Sequence, residues 1–254
     1  MTGMLSSPTL AALLLASIRA AAWLLISPPF NSKAIPNMVK ALLAVAIALP
    51  LTPQLAGQLP DITAATMLIG AIEQVIAGVA LGFLTSLVFA AVQAAGDLLD
   101  IFGGFSLATA FDPLSMAASS VFGKFYQMLC TTLLLVSGAY QFVLLGFTKT
   151  YSVLPLNGTL SLGTLSELIT GGLADLFVAT LQIAGPIIAV LFCADLALGL
   201  LSKAAPALNA FSLGFPVKIF LTLALAGIGI SVLPGVIDGL TDRAVRLMME
   251  GAGS

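Results

Sequence analysis

Arg19, Glu73, Lys124, Asp195 and Lys218 each stand inside, or at the lip of, a long apolar stretch, and Lys203 closes one of these stretches. Acids and bases on apolar helices are the raw material of an ion or proton pathway. Each would cost about 2.5–3.5 kcal/mol if it faced lipid at the middle of a bilayer, so these groups must face protein, water or one another. Two readings follow. One is the coupling site of a six-helix secondary transporter or ion channel acting alone, with Glu73 or Asp195 as its carboxylate. The other is structural, with charges meeting neighbouring subunits inside a sheath of protein. Asp97 and Asp100, spaced i,i+3, share a helix face. They read either as a carboxylate pair for acid–base or cation work or as the place where a helix meets water. Like charges on adjacent turns repel slightly, which suits an exposed end.

Other chemistry is excluded by inventory. The chain has no histidine, which removes Ser-His-Asp and Cys-His catalysis, the HExxH zinc site and histidine relays. Cys130 and Cys193 lie in separate apolar runs without CxxC spacing and read as small buried hydrophobes. No metal site and no cofactor is expected. No GxxxxGK[ST] loop is present, and an intramembrane enzyme would need a Ser-Lys or Asp-Asp arrangement that lacks the expected spacing. A net charge of -2 with no basic run gives no case for nucleic acid.

One segment differs from its surroundings. Residues 102–120 contain no lysine or arginine, a Gly103-Gly104 pair that permits unusual backbone angles, and the turn former Asp112-Pro113. They also carry Phe102, Phe105, Phe111, Leu114 and Met116. An apolar, glycine-hinged loop at the end of a membrane helix must be covered. Apolar side chains at a constriction seal a pore by excluding water, so the segment reads equally as a gate or as a re-entrant packing loop.

The elements that position these residues follow from composition. Of 254 residues, 59% are hydrophobic and 8% charged, against roughly 25% charged in soluble domains. Such a chain cannot clothe itself for water, so a soluble enzyme and a disordered chain are both excluded. Charge-free windows of 18 residues or more occur at 1–18, 41–60, 74–96, 125–148, 176–194 and 219–237. A helix needs about 20 residues to cross the hydrocarbon, so the chain reads as all-α with about six long apolar helices near 9–27, 39–57, 66–96, 121–148, 176–201 and 213–240. The first lacks the basic start of a signal peptide and is expected to be retained. Breakers lie at Pro28-Pro29, Pro36, Pro50, Pro53, Pro60, Pro155 with Asn157-Gly158, and Pro206 with Asn209. The stretch 156–166 reads as a loop, Pro186 and Pro216 as kinks, and 171–254 as a helical hairpin with a tail. In the third helix Gly78, Gly82, Ser86, Ala90 and Ala94 recur every four residues, a small-side-chain stripe that admits a neighbouring helix. Loop charge leaves the orientation undecided: Lys149, Arg243 and Arg246 stand on one side, and Lys33, Lys40, Lys124 and Lys203, with Lys218 nearby, on the other.

Three stretches, in order, resemble one family. They are the opening 40 residues with Arg19, Pro28-Pro29-Phe30, Ile35-Pro36 and Lys40; Gly96 to Pro113; and Asp195 to Pro216. The family is that of the flagellar export-gate protein FliR and its injectisome counterpart SctT (SpaR, YscT). Lys203 and Ala207 depart from its usual arginine and glutamine, and a histidine usual after Gly138 is absent. The resemblance implies a non-enzymatic subunit of the type III protein export gate, in the bacterial inner membrane within the flagellar basal body or secretion apparatus. Its partners would be FliP-like, FliQ-like and FlhB-like gate subunits, an FlhA-like export protein and unfolded protein substrates in transit. Residues 1–170 would form a FliP-like portion and 171–254 a FliQ-like hairpin, in one integrated unit. The segment 102–120 would be the plug of the closed pore, and the charges above would be wrapped by sister subunits in a gate raised out of the bilayer.

Overall fold

A computed structural model describes residues 7–58, 63–106, 120–158, 160–205 and 210–253. Its elements are all helical among these residues: α1 (Ser7–Ile26), α2 (Asn37–Ala48), a single turn Thr52–Leu55 running into a 3-10 turn Ala56–Gln58, α3 (Ala64–Gly103), α4 (Val121–Val136), α5 (Ala139–Val153), α6 (Leu162–Ala204), α7 (Ala210–Ile230) and α8 (Leu233–Ala252). Long, predominantly apolar sequence lets α3 and α6 run for 40 and 43 residues, α6 continuing through an interior Gly185-Pro186 pair. Pro186 and Pro216 are accommodated inside α6 and α7.

The charge-free windows give about six long apolar helices, and the helices that fill them differ in length and continuity. Among the described residues α1, α3 and α6 are long and apolar enough to cross a membrane singly, and the total reaches five if each of two bent pairs is one span. The window 39–57 fails because the helix stops at Ala48, before Pro50 and Pro53. The window 121–148 breaks at Ser137-Gly138, where α4 and α5 meet at 79° and Gly138 takes a left-handed φ of 78°. The last window breaks before Leu233, with a bend of 60° into α8. The expected loop 156–166 is shorter than read, because α6 begins at Leu162. Likewise α3 continues past residue 96 through both Asp97 and Asp100.

The chain forms two compact units. The first comprises Met1–Val88, Leu134–Leu173 and Gly239–Ser254. Its core is built on Trp23, which is fully buried, stacks on Phe147 at 4.4 Å between ring centroids and donates from Nε1 to Thr85 Oγ1 at 3.3 Å. Close approach of α1 and α3 requires glycine. A methyl group at Gly78 would collide with the Arg19 carbonyl oxygen and lie 2.7 Å from Ala22 Cβ, and one at Gly82 would lie 3.1 Å from Ile26 Cβ. Ser86, Ala90 and Ala94, further along the same stripe, are half-buried. The second unit comprises Phe89–Leu133 and Ala174–Asp238. There Thr180 donates to the Ala91 carbonyl, and α6 and α7 form the helical hairpin, bridged by Asp195 and Lys218.

Candidate functional site

In the first unit, the guanidinium of Arg19 is wholly buried and is satisfied without a carboxylate. Its Nε donates to Gln74 Oε1 at 2.6 Å, and its Nη1 and Nη2 donate to the carbonyls of Leu154 and Pro155 at 2.8 and 3.4 Å. The Tyr151 ring centroid lies 4.5 Å from its Cζ, a cation–π contact, and the Tyr151 hydroxyl donates to the Ala16 carbonyl. Gln74 completes the set by donating to the Leu156 carbonyl at 3.1 Å. The carbonyls at the end of α5 have no helical donors ahead of them, so Arg19 and Gln74 supply what the chain termination removed. Glu73, singled out from sequence, is half-buried and takes no part in these hydrogen bonds. Its neighbour Gln74, one residue and about 100° of rotation on, is the group that points inward. Gln74 precedes Gly78 by four residues, so the small-residue stripe already carried the signal that it faces α1.

In the second unit, the two ends of the segment 102–120 are rooted. At the first root the chain leaves α3 through Gly103 and Gly104, the latter with a φ of 85° in the left-handed region that glycine adopts without penalty. A methyl group at Gly103 would lie 2.6 Å from Thr222 Oγ1 and 2.9 Å from its Cγ2, and one at Gly104 would meet the Phe215 ring at 3.4 Å. Phe105 packs edge-on against Phe122, centroids 5.1 Å apart, and Phe102 is partly exposed. At the second root Asp100 accepts from the Ser120 hydroxyl and, at 3.0 Å, from the Phe122 N–H, while Ser120 Oγ accepts from the Gly123 N–H at 2.7 Å. Together these cap the start of α4, whose first N–H groups have no helical acceptors. Asp100 is buried, and its other oxygen has no hydrogen-bond partner among the described residues. The reading of Asp97 and Asp100 as a water-facing helix end is therefore corrected for Asp100: α3 does not end there, and the carboxylate turns inward to cap α4. Glycine also permits this contact, because a side chain at Gly96 would strike the Phe122 carbonyl and one at Gly123 the Asp97 carboxylate. Phe111, Asp112, Pro113, Leu114 and Met116 lie outside the described residues.

The remaining charges divide. Lys218 and Asp195 form an ion pair at 2.5 Å, with 22% and 42% of their side chains exposed. Lys124 and Lys203 are exposed, so neither is buried by the described residues of its own chain. Cys193 is exposed too, unlike Cys130 and contrary to the expectation for both.

Residues 10–244 match the family of bacterial export proteins, family 1. The chain belongs to that family. Among its relatives, the flagellar biosynthetic protein FliR of Pectobacterium carotovorum subsp. carotovorum is 31% identical over 235 residues, covering 92% of this chain and 89% of the relative. FliR of Escherichia coli is 30% identical over 208 residues, covering 82% and 80%. The secretion system apparatus protein SsaT of Salmonella typhimurium is 32% identical over 151 residues, covering 59% and 58%. The match to bacterial export proteins, family 1, takes in Arg19, both roots of the 102–120 segment and the Asp195–Lys218 pair.

Proposed function

We propose that this chain is a non-enzymatic subunit of a type III protein export gate, flagellar or injectisome, in the bacterial inner membrane. Membership of the bacterial export proteins supports an export role, and relatives that carry the names of a flagellar biosynthetic protein and a secretion apparatus protein support the type III system. On this reading it helps line a protein-conducting pore together with FliP-like, FliQ-like and FlhB-like subunits, beside an FlhA-like export protein, and unfolded substrates pass through. Residues 1–170 act as a FliP-like portion and 171–254 as a FliQ-like hairpin. Large apolar side chains left uncovered along α3 (Leu68, Ile72, Val75, Val79) and α6 (Phe177, Phe192, Leu200) support sister subunits or lipid as their solvent.

The segment 102–120 is the plug of that pore. The observation that carries this is the pair of roots: a left-handed glycine hinge beside Thr222 and Phe215 at one end, and a carboxylate cap at the other. Fixed roots with an apolar span between them let a segment close a constriction and return to it. Deleting residues 104–114 in an assembled gate is expected to increase leak of ions and small solutes. Unchanged leak would remove the plug, and recovery of the chain as a stable, partner-free species would remove the shared pore.

A further inference from the structure

A cleft between α5 and α8 in the first unit takes no part in the features above. Its volume is about 640 Å³, and Phe142, Leu145 and Lys149 line one wall, with Asp242, Val245 and Arg246 on the other. Gly146 brings the walls together, since a methyl group there would lie 2.9 Å from a Val245 methyl carbon. Residues 142, 145 and 149 are spaced i, i+3, i+7 and so share one face of α5. That face changes character along its length: Phe142 and Leu145 are 64% and 57% exposed apolar side chains, and Lys149 is an exposed cation. Across from them Asp242 and Arg246, four residues apart, share a face of α8. The side chains of Lys149, Asp242 and Arg246 form no hydrogen bond or ion pair with the described residues. Lys149 also lines a second cleft of about 290 Å³ with Gln54 and Tyr151, and so stands on the ridge between the two.

We propose that this cleft binds a phospholipid whose headgroup carries a phosphate and a primary amine, a phosphoethanolamine head, with an acyl chain lying along Phe142 and Leu145. Charge complementarity selects the occupant. Lys149 and the forked guanidinium of Arg246 suit a phosphate. Asp242 would repel a purely anionic head, but it accepts hydrogen bonds from an ammonium placed beside that phosphate. The uncovered apolar wall next to the cations calls for an amphiphile, because a soluble phosphate or an acidic peptide would leave Phe142 and Leu145 in water. The two walls, α5 and α8, are each one half of a bent apolar pair that passes the length and composition test for a membrane span. Amphipathic side chains such as lysine and arginine meet lipid heads at the ends of such spans.

The test is lipid binding by the assembled gate that contains this chain, delipidated in detergent, followed by native mass spectrometry. The probes are phosphatidylethanolamine, phosphatidylglycerol and phosphatidylcholine, with inorganic phosphate and soluble phosphoethanolamine as competitors. Phosphatidylethanolamine is expected to bind about tenfold more tightly than phosphatidylcholine, whose trimethylammonium has no N–H for Asp242. K149Q/R246Q is expected to weaken that binding about tenfold or more, and D242N to erase the preference over phosphatidylglycerol. Equal binding of all three lipids, unchanged binding by K149Q/R246Q, or full displacement by inorganic phosphate would each overturn the proposal. Should the double variant fail to assemble, the loss of the preference over phosphatidylglycerol in D242N gates decides alone.

Discussion

The Nε of Arg19 donates to Oε1 of Gln74 across 2.6 Å, and the same guanidinium reaches the carbonyls of Leu154 and Pro155. One side chain on α1 thus fastens α3 and the non-helical turn after α5. Replacing Arg19 with leucine takes this partner from the buried Gln74 amide oxygen and the buried Leu154 carbonyl, while the half-buried Pro155 carbonyl keeps the Gly158 N–H. Each unsatisfied buried group costs about 1–3 kcal/mol. Arg19→Leu is therefore expected to lose about 3 kcal/mol or more. Arg19→Lys, which keeps the charge but not the planar fork, should recover only part of this. Thermal unfolding in detergent checks both, and a Tm lowered by less than about 2 °C in the leucine variant would contradict the clamp.

Gly78 packs its Cα where any side chain would strike the Arg19 carbonyl. Gly78→Val forces α1 and α3 apart, and overpacking of this kind costs about 1–3 kcal/mol. Gly185 has no atom near the place of its missing Cβ, so Gly185→Ala should be neutral or stabilising by about 0.5–1 kcal/mol through helix propensity alone. Measured side by side, equal effects at the two positions would show that helix propensity, not contact with α1, governs Gly78.

Much of this arrangement is legible in the sequence. The charge-free run at the start placed the first helix at 9–27, and α1 spans Ser7–Ile26. The four-residue recurrence of small side chains put Gly78 and Gly82 on one face, and α1 lies against it. Composition alone is blind to breaks that carry no charge, so the break at Ser137-Gly138 and the bend before Leu233 are not legible in the charge-free windows. Charge also drew attention to the wrong neighbour at 73–74. An ionisable side chain is conspicuous in an apolar run, but residues 73 and 74 stand about 100° apart around the helix, and the uncharged amide is the buried one of the two. Asp100 was misread for a related reason: repulsion between carboxylates at i,i+3 argues for water only when no N–H groups are on offer, and the start of α4 offers one at Phe122.

Asp100 caps α4 through the Phe122 N–H and holds the Ser120 hydroxyl, so it ties the second root of the 102–120 segment to α3. Loss of a cap costs about 0.5–2 kcal/mol, which is close to a tenfold change in a local opening equilibrium at about 1.4 kcal/mol. Asp100→Ala is expected to speed hydrogen exchange of the amides at Phe122 to Lys124 by about that factor, with α1 and α5 unaffected. Ser120→Ala should show a smaller change in the same peptide. Exchange unaltered there would mean that the carboxylate does not hold the root.

Asp195 and Lys218 are in contact but partly exposed, and pairs of this kind contribute about 0–1 kcal/mol. Asp195→Asn is expected to change stability by no more than that. The exchange of both charges, Asp195→Lys with Lys218→Asp, should behave like the parent. Should the chain instead be a transporter coupled through Asp195, the neutral variant would abolish ion flux at unchanged stability. Flux measured in proteoliposomes separates the two outcomes.

Gly103 and Thr222 test the first root most directly. The Thr222 side chain fills the space a Cβ at Gly103 would need, with Oγ1 at 2.6 Å and Cγ2 at 2.9 Å. Gly103→Ala should therefore push α3 and α7 apart locally. Thr222→Ala removes both offending atoms and leaves Cβ, at 3.2 Å, as the nearest remaining Thr222 atom. It also deletes a hydroxyl that donates only to the Lys218 carbonyl within its own helix. The double variant is expected to be more stable than Gly103→Ala alone, with a coupling of about 1 kcal/mol, well within the range seen for side chains in contact. Gly104 gives a contrast, because its constraint is the backbone angle: alanine there costs about 1–2 kcal/mol in the left-handed region, and no change at Phe215 should rescue it. A cycle in which Thr222→Ala fails to relieve Gly103→Ala, or relieves Gly104→Ala equally well, would remove the distinction between a sterically seated residue and a conformational hinge on which the rooted segment depends.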